Sequence, residues 1–171
     1  MNPRRIMAGP ERNDAPRRSP AVWAGVLLLL LGLTACRTAR PPAPVDLAGP
    51  GWTVQQGQAV WTAAHGSEGV AGELMLAMRA DGSCWVQFSK PPFNLFTAQR
   101  VGTGWHIEFQ QGHKRYGGPG QPPSRFIWFQ LAKVAAGQTP DAGWTFTRDS
   151  AGHWVLSHTG RGERLEGYFA P

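Results

Sequence analysis

The chain has 171 residues, with 17 Lys+Arg against 11 Asp+Glu, eight Trp, eight Phe and two Cys. Its net charge of +6 is concentrated at the start. Five basic and two acidic residues precede Cys36, which leaves 12 against 9, or +3, from there on. A surplus that small gives no argument for nucleic-acid binding.

Arg4, Arg5, Arg12, Arg17 and Arg18 form a positive leading region. An apolar run from Ala21 to Leu33 follows. The run falls short of the roughly 20 apolar residues that a membrane-spanning helix needs. A basic flank, a short apolar core and small residues at its exit make a secretory signal. Leu33-Thr34-Ala35-Cys36 resembles the lipobox of bacterial lipoproteins. That resemblance implies cleavage before Cys36, a diacylglyceryl group on its thiol and a fatty acyl group such as palmitate on the new amine. Two or three acyl chains anchor stably where one does not. Arg37 follows the cysteine, in place of the Asp of an inner-membrane retention signal, so the expected location is the periplasmic face of the outer membrane. The expected organisation is a signal peptide over 1–35, the lipidated cysteine and a tether over 36–50, and one folded domain over 51–171. The membrane, reached through Cys36, is the expected partner.

The tether Thr38–Pro50 is rich in proline, which favours extended polyproline II. Trp52 to Ala64 is compatible with a strand or a short helix. Leu74, Leu76 and Met78 alternate with Met75 and Ala77, the pattern of a strand buried on both faces. Asp81-Gly82 predicts a hairpin turn into a strand carrying Cys84, Val86 and Phe88 on one face. With Cys36 lipidated, Cys84 has no partner for an internal disulfide and reads as a small buried hydrophobe.

Lys90-Pro91-Pro92 breaks that strand, and Phe93 to Arg100 resumes it. Trp105, Ile107 and Phe109 alternate with His106, Glu108 and Gln110, a strand with one wet face. Gly117 to Pro123 reads as a loop. Ser124 is placed to cap a helix whose Ile127, Leu131, Val134 and Ala135 share one face, with Gly137 to end it. Phe126 to Leu131 is apolar almost all round. Three short strands close the chain at Trp144–Arg148, His153–His158 and Arg164–Phe169. Successive hairpins with one helix predict a mainly β, α+β fold: a strongly curved antiparallel sheet or open half-barrel, covered by helix.

This layout resembles the lipoprotein-localisation superfamily of the periplasmic carrier LolA and the outer-membrane receptor LolB. The likeness rests on Phe88-Ser-Lys-Pro-Pro-Phe-Asn-Leu-Phe96, on the stretch Gly118 to Leu131, and on Gly143-Trp-Thr-Phe146. The receptor's long amphipathic N-terminal helix is not evident before Leu74. The resemblance implies a half-barrel with an apolar cavity for the acyl chains of lipids or lipoproteins. Candidate cavity residues are Leu74, Leu76, Met78, Val86, Phe88, Trp105, Ile107, Phe109, Ile127 and Leu131. Phe93 and Leu95 are the candidates for membrane contact.

The five histidines form no HxxxH or HExxH motif, so no metal ligand set is assigned. Gly117-Gly-Pro-Gly120 lacks the GK[ST] of a phosphate loop. Neither Ser67 nor Ser83 sits in a GxSxG elbow, and no carboxylate pair stands out. The expectation is a binding protein without a cofactor, not an enzyme. His113, Lys114, Arg115 and Arg125 form a basic cluster suited to a solvated loop or to anionic lipid. The alternative reading is an adaptor lipoprotein with a filled core that docks a protein partner.

Overall fold

The computed structural model describes residues 45–171; the leader, Cys36 and most of the tether lie outside the described residues. Nine strands form one sheet: β1 Thr53–Thr62, β2 Val70–Met78, β3 Cys84–Lys90, β4 Phe93–Val101, β5 Gly104–Phe109, β6 Lys114–Pro119, β7 Trp144–Arg148, β8 Trp154–His158 and β9 Arg164–Phe169. Their order across the sheet is β6-β5-β4-β3-β2-β1-β9-β8-β7, antiparallel throughout. Edge strands β6 and β7 do not pair, so the sheet stays open. One helix, α1 (Ile127–Ala135), connects them. The mainly β fold, a curved antiparallel sheet covered by a helix, is therefore established.

Short turns make this order. At the β2–β3 turn Ser83 N donates to Asp81 Oδ1 at 2.8 Å, the local bond that makes Asp a turn residue. Register then aligns the apolar positions into rows across the concave face. Leu74, Phe88, Phe96 and Phe109 form one row, and Leu76, Val86, Ala98 and Ile107 the next. A third runs through Met78, Cys84, Arg100 and Trp105. Every residue of the second row is fully buried.

α1 fills the concavity. At nine residues it is too short to persist alone and depends on packing. Seven of its residues are buried. The Trp128 ring centroid lies 3.7 Å from Phe96, 5.4 Å from Trp61 and 5.6 Å from Phe88. Gln130 is the polar exception, 1% exposed. Its amide donates to Asp141 Oδ2 at 2.7 Å and accepts from Asp141 N at 2.9 Å. Asp141 also binds Lys133 at 2.6 Å, and these two side-chain partners hold its carboxyl below the usual range.

One open local reading is settled and two expectations change. The segment that reads as strand or helix is strand β1. Gly117–Pro119, expected in a loop, continues edge strand β6, where an edge tolerates proline's missing N–H. Ser124 does not cap α1; Phe126 holds the N-cap position, extended and without a side-chain bond. Phe126 packs 5.5 Å from Trp105 and 5.8 Å from Tyr116. Phe126 is partly buried there; full burial of a phenylalanine is worth about 1.5–3 kcal/mol, so partial burial is of the same order as a cap, about 1 kcal/mol. The Ser124 carbonyl instead accepts from Trp144 Nε1 at 2.7 Å. Gly137 ends the helix as expected, with φ +76°.

Candidate functional site: an apolar cleft with a basic rim

The antiparallel order brings five pieces of chain to one end of the sheet. They are the end of β1, the start of β2, the β3–β4 hairpin, the β5–β6 connection and the β8–β9 turn. There the rows run past α1, and a cleft of about 680 Å³ opens. Trp61, Val70, Leu95, Phe96, Phe109, Tyr116 and Phe126 form its apolar walls. Gln111, Lys114, Arg125, Arg161 and Glu163 form its polar part. The volume is that of a small-ligand site, and its lining of seven apolar or aromatic and five polar side chains makes it an amphipathic one.

The rim is built from three separate segments. Lys114 opens β6 directly opposite Phe109 and so extends the first apolar row with a cation. Arg125 precedes α1, with its guanidinium carbon 4.9 Å from the Phe126 ring centre. Arg161 comes from the β8–β9 turn and donates to the Arg125 carbonyl at 3.0 Å, tying the two segments together. Its guanidinium lies 3.8 Å from Glu163. The Glu163 side chain is 15% exposed. Burial pushes its pKa up, against opposing pulls from the Trp61 indole N–H and from Arg161.

The ten candidate cavity residues divide. Leu74, Leu76, Val86, Phe88, Ile107, Ile127 and Leu131 are at most 1% exposed, within the packed core. Trp105 is half-buried against Phe126 and Phe129. Met78 lines a different cleft. Phe109 lines the apolar cleft itself. Of the two membrane-contact candidates, Leu95 is a cleft wall, whereas Phe93 is 69% exposed on the hairpin beside it. The basic cluster divides too. Lys114 and Arg125 face the cleft, while Arg115 pairs with Glu108 at 2.6 Å elsewhere. Sequence reasoning did not find Trp61, Glu163 or Arg161, whose neighbours lie far away in the chain.

A second cleft of about 550 Å³ lies at the opposite end, around Arg79, Asp81, Arg100, Lys133 and Asp141. It is the more polar of the two, and Lys133 and Asp141 already satisfy each other there. Cys84 at its edge is a buried free thiol that burial holds at about 11, far from the nucleophilic range. Among the described residues no group of His, Cys, Asp or Glu is placed to hold a metal. No helix among them is long and apolar enough to cross a membrane. No protein-family model matches the chain, and a search of curated proteins gives no match either.

Proposed function

We propose that the protein is a lipid-anchored envelope protein that takes up acyl chains in the cleft at the β3–β4 hairpin end of its sheet. The observation that carries this reading is the cleft: about 680 Å³ walled by seven apolar or aromatic side chains and open at one rim. Binding draws on apolar area removed from water, at about 25 cal/mol per Å². No cofactor or covalent step is needed. The packed interior around Trp128 restricts the acyl site to the end of the half-barrel.

Anchoring fits this arrangement. With Cys36 lipidated, the protein sits at the periplasmic face of the outer membrane. β1 starts at the end opposite the cleft, so the tether joins the domain there. Its ten residues span about 33 Å at ~3.3 Å each. From Cys36 to Val45 an extended chain reaches about 30 Å, and the chain then turns at Asp46, where Gly49 N donates to the Asp46 carbonyl at 3.3 Å. That reach is close to the length of β1, and in this reading the cleft end, with exposed Phe93 on its hairpin, turns toward the bilayer. Lipoprotein localisation, as in the superfamily that the layout resembles, is one process this geometry serves.

The test is lipid extraction and mass spectrometry of a purified fragment, residues 38–171, with titration by a fluorescent acyl probe. The fragment holds every described strand, the helix and the whole core. Co-purified lipid, and probe binding weakened by Phe109→Glu with the fold retained, support the reading. A folded fragment that binds neither lipid nor probe excludes it and leaves the adaptor reading.

A further inference from the structure

We infer that the cleft selects acyl amphiphiles with an anionic head, and that Lys114, Arg125 and Arg161 receive that head; this rests on the acyl-binding reading above. Three cations and one carboxylate line the cleft. Arg161 is already engaged with Glu163 and with the Arg125 carbonyl. Among the described residues, neither Lys114 nor Arg125 has a carboxylate within ion-pair distance.

Neighbouring Arg115 makes the contrast. It faces away from the cleft, and there Glu108 meets it with two hydrogen bonds, from Nε at 2.9 Å and from the terminal nitrogen at 2.6 Å. The fold therefore neutralises the cation outside the cleft and leaves two unmatched at its mouth. Those two also sit where a head must lie if a tail fills the walls. Lys114 follows Phe109 in the first apolar row, and the Arg125 guanidinium lies over the Phe126 ring. An anion beside apolar walls pairs with such cations more strongly than in bulk water. A carboxylate and a phosphate monoester share the required chemistry.

The experiment uses the 38–171 fragment and displacement of a bound fluorescent acyl probe. The competitors are laurate, dodecyl phosphate and dodecanol, against wild type and Lys114→Gln/Arg125→Gln. Both anions should compete about tenfold better than the alcohol in wild type, as a charge-assisted bond predicts. The double variant should lose that advantage while its melting temperature holds. If the double variant does not fold, Lys114→Gln alone and a salt titration replace it. The anion advantage should then shrink from about 50 mM to about 500 mM salt, as screening requires at an open mouth. The order of laurate and dodecyl phosphate identifies the head. Equal competition by alcohol and anions overturns this inference but leaves acyl binding intact. No probe binding overturns both.

Discussion

Trp61 and Glu163 lie 102 residues apart in the chain, and the indole Nε1 donates to the Glu163 carboxylate at 3.4 Å inside the cleft wall. The bond joins the end of β1 to the residue just before β9 and holds a carboxylate that is 15% exposed. Burial raises the Glu163 pKa above its ordinary 4.5. A raised carboxyl pKa means that the folded state binds the proton more tightly than the unfolded state. Stability linked to this group therefore grows as pH falls through the folded pKa, and levels off below the unfolded one. Glu163→Gln, which removes the charge and keeps an acceptor for Trp61, should raise the melting temperature at pH 8 and leave it unchanged at pH 4. A lower melting temperature at pH 8 would mean that the Arg161 pair outweighs the burial cost.

Trp128 is, with Trp154, one of the two largest fully buried side chains described, 1% exposed. It touches three aromatic rings from three strands. Trp128→Ala should cost about 3–5 kcal/mol of unfolding free energy, the range for emptying a large aromatic site. Trp128→Phe, which leaves a smaller void, should cost less. Denaturant midpoints with an unchanged m-value would give both numbers. A loss below about 1 kcal/mol in the alanine variant would contradict the packing described above.

Strand β9 returns to β1 across a very close backbone approach. A Cβ on Gly57 would meet the Tyr168 carbonyl oxygen and the Phe169 backbone, and one on Gly167 would meet the Gln58 carbonyl. Backbone cannot swing aside as a flexible side chain can. Gly57→Ala should therefore weaken the β1–β9 seam by more than about 2 kcal/mol, beyond the usual range for surface sites. Gly66 is a fair control, since nothing lies near its Cβ position, although its φ is +75°. Gly66→Ala should cost only about 1 kcal/mol, the price of a left-handed alanine. Equal losses at the two sites would refute the close-approach account.

The strands were legible because alternation and turn residues are local signals. Leu74–Met78 and Trp105–Phe109 show period two directly, and Asp81-Gly82 marks its own hairpin. β6 was missed because Gly117, Gly118 and Pro119 have turn composition; pairing with Trp105 and Gly104 overrides it. The apolar candidates fell on the inward face, but inward does not mean cavity-lining. A nine-residue helix covers the middle of the rows, and sequence could not say where that cover stops. The rim cations were half visible: Lys114 and Arg125 stood in a basic cluster, while Arg161 reaches them only through the fold of β8 and β9.

Cys84 offers a chemical check on the core. Its side chain is buried, and loss of solvation holds the thiol at about 11. Reactivity requires thiolate, so at pH 8 the folded protein should present almost none. In a Cys36→Ser variant, where Cys84 is the one thiol left, a disulfide reagent should react slowly in buffer and fast in denaturant. The protection should follow the unfolding curve. Fast reaction in buffer would show that the third row opens to solvent at Met78 and Arg100.

Phe93 is 69% exposed, the most exposed of the large hydrophobic residues described. It pairs with Lys90 at the tip of the β3–β4 hairpin, beside the cleft mouth. A side chain that contributes so little to packing can change without cost to the fold, so Phe93→Ser should leave stability within about 0.5 kcal/mol. Its effect should appear at a bilayer. An interfacial aromatic with a basic neighbour gains from burying its ring and from attraction to anionic headgroups. The 38–171 fragment should therefore sediment with vesicles containing phosphatidylglycerol, and Phe93→Ser should reduce the bound fraction severalfold. Lys90→Gln should reduce it only at low salt, because its contribution is screened. Should Phe93→Ser bind as well as wild type, the hairpin is not the membrane-facing tip, and the proposed uptake would have to use another face of the sheet.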